Sequence, residues 1–262
     1  MNIKTKYFTS SLIFVLASTL LCGCHSHDQF SIEGTISNSN GRSLYIEELT
    51  PNGTVFLDSI SIASDGRFKY SAALTYQTFF NLHSSPVDYV VLLPEAGEHI
   101  ILTGCFDSLQ TTYETSGSIG STLLWQLQDY TNDGIRTLID LVERDKANRD
   151  RFGVESDAYK NAKQETDSIF RDAFQAQVEY MSQFIQEHNG SLASLIALYK
   201  EFNQQPIITP EYNLDYYEEV LSGLEATLPD NPHTVHFKNT VERLRHQYGK
   251  KNEALDMVFD GE

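Results

Sequence analysis

The chain is poor in sulfur. It has three cysteines in 262 residues, and no two stand in a Cys-x-x-Cys pair, so a dithiol redox centre is excluded. Basic residues are also scarce: 19 Lys and Arg face 36 Asp and Glu, a formal charge of −17. Such a balance argues against nucleic acid as a partner, because phosphate contacts need cations. It argues equally against a polybasic membrane patch. The common catalytic signatures are missing too: no Gly-x-Ser-x-Gly elbow, no phosphate loop, no His-Glu-x-x-His and no dinucleotide fingerprint. The chain has one tryptophan, Trp125, against 15 Phe and 14 Tyr.

What is present starts at the N-terminus. Lys4 and Lys6 form a basic region, and Leu12 to Leu21 form an apolar run too short to span a bilayer comfortably. Leu21-Cys22-Gly23-Cys24 then reads as a lipobox. Gly23 is the small residue that cleavage before a cysteine requires, whereas Leu21 is too large to precede a cut at Cys22. The expectation is a lipoprotein signal peptide over 1–23 and a tether over 24–29 lipidated at Cys24. The partner there is membrane lipid, held by acyl chains, and stable anchoring needs more than one chain. Removal of 1–23 takes away two lysines and no acid, which leaves 36 acids against 17 Lys plus Arg and a charge of −19. His25-Ser26-His27-Asp28 holds only one acid, less than an acidic surface-export signal would. The expected address is therefore the bacterial cell envelope, at the outer membrane and facing the periplasm, with exposure at the cell surface as the alternative. His25 and His27 have no further ligands near them and read as tether. With Cys22 removed and Cys24 acylated, Cys105 is the last thiol, and its place after Ile100-Ile101-Leu102 predicts a buried structural role.

From Phe30 to about Thr115 the pattern has the period of β-structure. Phe30, Ile32, Gly34 and Ile36 alternate with polar residues, as do Val87, Tyr89, Val91 and Leu93. Val55 and Leu57 share one phase and Ile60 and Ile62 the other, which predicts a bulge near Asp58-Ser59. Asn40-Gly41, Asn52-Gly53 and Asp65-Gly66 supply the positive φ of tight hairpin turns. Near Gly117 the period changes to that of helix. One helix starts around Leu123 and runs toward Arg144, and a second covers about Ser156 to His188, where Asn189-Gly190 stops it. Ser191 caps a short helix over Leu192 to Phe202. Thr209-Pro210-Glu211 and Asn231-Pro232 each open another. The expected fold class is α+β and multidomain: an antiparallel β-sandwich over 30–116, followed by a helical, bundle-like domain over 117–262.

Candidate chemistry is thin. His233 and His236 are three apart on a helix but lack a carboxylate or cysteine pattern, so no metal site is expected. Glu47-Glu48 and Glu218-Glu219 read as surface acids. Tyr212, Tyr216 and Tyr217 cluster on one helix and read as amphipathic packing. Arg243, Arg245, Lys250 and Lys251 suit the C-terminal end of the last helix. No catalytic, cofactor or metal residue is assigned, and the chain is expected to be non-enzymatic.

A set of short motifs carries a resemblance. It comprises Phe30-Ser31-Ile32-Glu33-Gly34-Thr35-Ile36, Leu57-Asp58-Ser59-Ile60 leading to Asp65-Gly66-Arg67-Phe68, Leu93-Pro94-Glu95-Ala96-Gly97 before Ile100, and Gly117-Ser118 at the start of the helices. In this order, over roughly 30–255, the chain resembles lipoproteins of gut Gram-negative bacteria. Those carry a β-sandwich domain of unknown function after the lipid cysteine, then a helical segment, and commonly a C-terminal thioredoxin-like domain of the thiol:disulfide interchange type. That last domain would begin near Val258-Phe259-Asp260-Gly261-Glu262. The resemblance implies a membrane-anchored binding or scaffolding module with an envelope protein partner, for instance a thioredoxin-like protein. It also implies an alternative, a truncated or split thiol-disulfide oxidoreductase acting with a separate redox domain. The anchor has a direct test. The full chain should partition with membranes and Cys24→Ala should appear in the soluble periplasmic fraction; equal partitioning of both would contradict lipidation at Cys24.

Overall fold

The computed structural model describes residues 28–259, with side chains to residue 248. The expected signal peptide over 1–23, Cys24, His25 and His27 lie outside these residues. Among the described residues, no helix is long and apolar enough to cross a membrane. The chain is α+β. Its first part comprises β1 (Gln29–Ser37), β2 (Ser43–Thr50), β3 (Gly53–Ser61), β4 (Arg67–Ala73), β5 (Phe79–Ser85), β6 (Asp88–Leu92) and β7 (His99–Cys105). A 3-10 turn (Phe106–Ser108), helix α1 (Leu109–Thr112) and strand β8 (Glu114–Ser116) complete it.

The strands form two four-stranded sheets, ordered β4-β1-β7-β8 and β3-β2-β5-β6. Alternation along each strand sends one side-chain set inward. Phe30, Ile32 and Ile36 of β1, Leu44 and Ile46 of β2, Phe80 and Leu82 of β5, and Ile100 and Leu102 of β7 join in one buried cluster shared by both sheets. The pairing departs from the all-antiparallel expectation, since β1 and β7 run parallel from Ser31↔His99 to Ser37↔Cys105. A parallel pair needs a long crossover, and the five intervening strands supply it. Only Asn52-Gly53 closes a hairpin, between β2 and β3. Asn40-Gly41 and Asp65-Gly66 carry the chain from one sheet to the other. The bulge falls at Leu57, one residue from the expected place, because Ile46 faces Asp58 while Glu47 faces Phe56.

The helical part comprises α2 (Ile119–Phe152), α3 (Asp157–His188), α4 (Ala193–Leu198), the two-residue strands β9 (Glu201–Phe202) and β10 (Gln205–Pro206), α5 (Leu214–Thr227) and α6 (Pro232–Phe259). Helix α2 runs eight residues past Arg144. Its charged second half is tied by Arg149 to Asp145 at 2.6 Å and by Arg144 to Glu165 of α3 at 3.0 Å. Helix α3 starts where expected, at Asp157, and Ser156 caps it by accepting from the Tyr159 N–H. At the other end of α3, Asn189 keeps right-handed dihedrals. Gly190 serves close packing instead: a Cβ there would lie 2.8 Å from the Thr227 methyl group of α5. Helix α5 begins at Leu214, later than expected, because Thr209 to Asn213 form a turn on the Thr209 carbonyl.

The helices cover the outer face of the second sheet. Phe79 of β5 and Leu93, just past β6, belong to the same cluster as Leu124, Leu127, Ile185, Leu198 and Phe237. Polar contacts fix the seam. The Leu93 N–H donates to Ser121 Oγ at 3.0 Å, and Ser118 Oγ donates to the Leu93 carbonyl at 3.3 Å. At the start of α6, Asn231 Nδ2 donates to the Gln77 carbonyl at 2.8 Å, and His233 Nε2 shares a 2.8 Å hydrogen bond with Thr78 Oγ1. Burial, reinforced by His236, pushes the His233 imidazole down to about 4, so it is neutral in this joint. Gly120 sits where α2 meets β6: a Cβ there would lie 2.4 Å from the Leu93 carbonyl oxygen. Gly120→Ala should therefore destabilise the chain by about 2 kcal/mol or more in urea unfolding, since backbone must shift to admit the methyl group. An unchanged midpoint would show that α2 is not seated against Leu93.

Candidate functional site

The outer face of the second sheet is graded from apolar to polar. Strand registry sets Leu49 beside Phe79, then Glu47 beside Asn81 beside Val91, then Tyr45 beside His83 beside Tyr89. The first row lies under the helices; in the last, Tyr45 and Tyr89 are exposed and His83 is largely covered. Between them lies a cleft of about 550 Å³, walled by Leu49, Asn81, Tyr89, Val90 and Val91 of the sheet, Tyr113 after α1, Leu124 and Gln128 of α2, Ile196 of α4, Tyr199 and Lys200 after it, and the exposed Glu201 of β9. This size is within the range of small-molecule sites.

Lys200 is the charged group in the wall with the least solvent. Its Nζ donates to Gln128 Oε1 at 2.8 Å, Gln128 Nε2 donates to Asn132 Oδ1 at 2.8 Å, and Asn132 Nδ2 donates to the Gln110 carbonyl at 3.3 Å. Gln128 and Asn132 are one helical turn apart, so α2 orients both. The chain of donors fixes the Gln128 amide with its oxygen toward the lysine. Burial, with no charged neighbour to offset it, pushes the Lys200 ammonium down to about 8. Tyr199 forms an aromatic rim and is held edge-on against Tyr217, with ring centroids 6.1 Å apart. Asn81 Nδ2 donates to Glu47 Oε2 at 3.1 Å, while Asn81 Oδ1 is buried without a donor. His83 Nε2 stands 3.6 Å from Glu47 Oε2, and neither of its buried ring nitrogens has a hydrogen-bond partner.

The residues singled out by sequence go elsewhere, apart from Glu47. It joins Asn81 beside the cleft, while its neighbour Glu48 accepts from the Tyr76 hydroxyl at 3.3 Å. Glu218 pairs with Arg245 at 2.7 Å, and Glu219 accepts from Asn189 at 3.1 Å. His233 is committed to Thr78 and His236 is exposed; among the described residues no group of three or more potential ligands could hold a metal ion. Tyr217 is buried, with its hydroxyl toward the Leu198 and Ile208 carbonyls, and Tyr212 is exposed. Trp125 Nε1 donates to the Tyr113 carbonyl at 2.9 Å. Cys105 is half-buried, a correction to the buried thiol expected from the apolar run before it. That run ends at the sheet rim, where Asn38 Nδ2 donates to the sulfur at 3.4 Å. Hydrogen bonds from Ser108, the Asp107 backbone and Ser37 lower its pKa. The sides of Lys250 and Lys251 lie beyond the described side chains.

A second, shallower recess of about 710 Å³ lies on the open face of the first sheet. Its charges are already paired, Lys69 with Glu33 at 3.8 Å inside the recess and Arg67 with Asp65 outside it at 2.7 Å. No family model, curated protein or solved structure matches the chain.

Lys200, Gln128 and Asn81 were not singled out from sequence. Asn81 and Gln128 are ordinary polar residues in amphipathic elements, Lys200 stands in the link between α4 and β9, and only packing brings the three together. The lysine's burial has a measurable consequence. Its charged form is penalised below pH 8, and the penalty disappears as pH rises toward the unshifted value of 10.5. Lys200→Met should thus raise stability by about 1–2 kcal/mol at pH 7, with the gain fading by pH 10. A gain independent of pH in urea titrations would contradict a strained ammonium.

Proposed function

We propose that the chain is a membrane-anchored lipoprotein of the bacterial envelope whose folded part is a binding module rather than an enzyme. In this reading the two sheets form a β-sandwich-type domain containing one parallel pair, and the helices form a bundle-like domain laid on its second sheet. The observation that carries the reading is the cleft between sheet and helices. Its polar groups are arranged to hold something: Lys200 is oriented by neutral amides, and the rim is aromatic. Rigid aromatic edges around a few placed polar groups are characteristic of ligand sites. The lipobox at Cys24 supports an envelope address, and the order of motifs from Phe30 to Gly117 supports kinship with the sandwich-and-helix part of thiol:disulfide interchange lipoproteins. A thioredoxin-like envelope protein is the partner that this kinship favours.

The cleft is testable apart from the anchor. Ile196→Trp should fill it from the α4 side, where Ile196 is only partly buried. In a thermal-shift screen of small envelope metabolites, at least one compound should raise the melting temperature of the native chain and leave that of Ile196→Trp unchanged. If no compound acts, or every active compound stabilises both chains equally, the cleft is not a binding site.

A further inference from the structure

We propose that the cleft takes a small carboxylate with an apolar or aromatic body, its anionic end held by Lys200 and its body lying against Leu124, Ile196 and the Tyr199 rim. This rests on the binding-module reading and adds the class of ligand.

The first support is charge. Lys200 Nζ has one fixed partner, a neutral amide oxygen, although the chain carries 36 acids. Several other cations sit beside carboxylates, as Lys163 does with Asp167 at 3.0 Å and Lys238 with Glu225 at 2.7 Å, and the exposed Arg243 donates to the Asn239 carbonyl and Thr240 instead. An ammonium without such a partner in a half-enclosed site leaves donors for an anion. The second support is positioning. The relay from Lys200 through Gln128 and Asn132 to the Gln110 carbonyl holds the amine at one place on the wall, so little side-chain entropy remains to be lost on binding. The third is the lining. Leu49, Val91, Leu124 and Ile196 offer apolar area beside the amine. A purely polar anion such as phosphate would leave that area wet. The net charge of −17 repels anions at range, so recognition has to come from contact inside the cleft, where water competes less.

The titratable groups that line the cleft with Lys200 are Glu201 of β9, Tyr199, Tyr89 of β6 and Tyr113 after α1, and its direct partner is the neutral Gln128 of α2. Burial raises the Tyr113 and Tyr199 phenols above their ordinary range, which keeps both out of titration at neutral pH. With the Lys200 ammonium at about 8, a carboxylate that needs the charged form should bind about tenfold more weakly at pH 9 than at pH 7.

Isothermal titration calorimetry with phenylacetate and its neutral isostere phenylacetamide tests this on the full folded chain. Phenylacetate should bind the native chain at pH 7, phenylacetamide at least tenfold more weakly. Lys200→Met, which retains the volume of the side chain, should lose phenylacetate at least tenfold. Lys200→Arg should retain it, without the loss between pH 7 and pH 9. Equal binding of the two probes, full binding by Lys200→Met, or no binding of phenylacetate at millimolar concentration would overturn the proposal. The two readings fail differently. If neutral compounds bind and Ile196→Trp excludes them while phenylacetate does not bind, the module stands and the carboxylate falls. If phenylacetate binds Ile196→Trp as well as the native chain, it binds elsewhere and both fall.

Discussion

The grip of α2 on the Leu93 peptide is the contact on which the rest of the architecture depends. Two serines from one helical turn satisfy both polar groups of that peptide, Ser121 accepting from its N–H and Ser118 donating to its carbonyl. Gly120 lets the two backbones approach closely enough for this. Buried backbone groups need partners, and here the strand's leftover donor and acceptor are met by the helix rather than by another strand. The grip orients α2, and α2 in turn presents Leu124 and Leu127 to the sheet and Gln128 to Lys200. The Asn231 and His233 contacts repeat the device at the start of α6. Fold and cleft therefore share a cause: the second sheet is apolar on both faces, and the helices that cover its outer face stop short of its polar end.

The electrostatics follow from that geometry. Where cover is complete the sheet presents Phe79, and Leu49 and Val91 stand at the edge of the cleft. Where cover ends it presents Glu47, Asn81 and His83, whose polar atoms are only partly matched. Burying a cation beside neutral amides costs stability, and a native chain retains such an arrangement most readily where function uses it. Lys200 stands at this boundary, half inside the helical layer, oriented but not neutralised.

Much of the fold was legible in the sequence because its signals are local. Alternation marked the strands, Ser156 stood where α3 begins, and Asn231-Pro232 opened the last helix, while α2 starts at Ile119, four residues before the apolar stripe that marked it. The departures came from tertiary choices. Asn40-Gly41 and Asp65-Gly66 have the backbone of a tight turn, yet what they connect depends on which sheet receives the next strand. The parallel β1–β7 pair joins residues too far apart for any local pattern to register. The length of α2 beyond Arg144 is supported by α3, which the first helix's own sequence does not contain. The cleft was the least legible part. Lys200 looked like one more charge near a helix end, and the value of Asn81 and Gln128 lies in what faces them. Doubled apolar steps, Phe79-Phe80 and Leu92-Leu93, were the available sign that the second sheet is covered on both faces.

Native-state hydrogen exchange of the full chain tests the docked arrangement most directly. The slowest amides of β5 and β6 and those in the first half of α2 should exchange through one opening, with equal free energies and the same response to denaturant. If the α2 amides open at much lower free energy while β5 and β6 remain protected, the helices do not form one cooperative body with the sheet, and the cleft between them is not a fixed site.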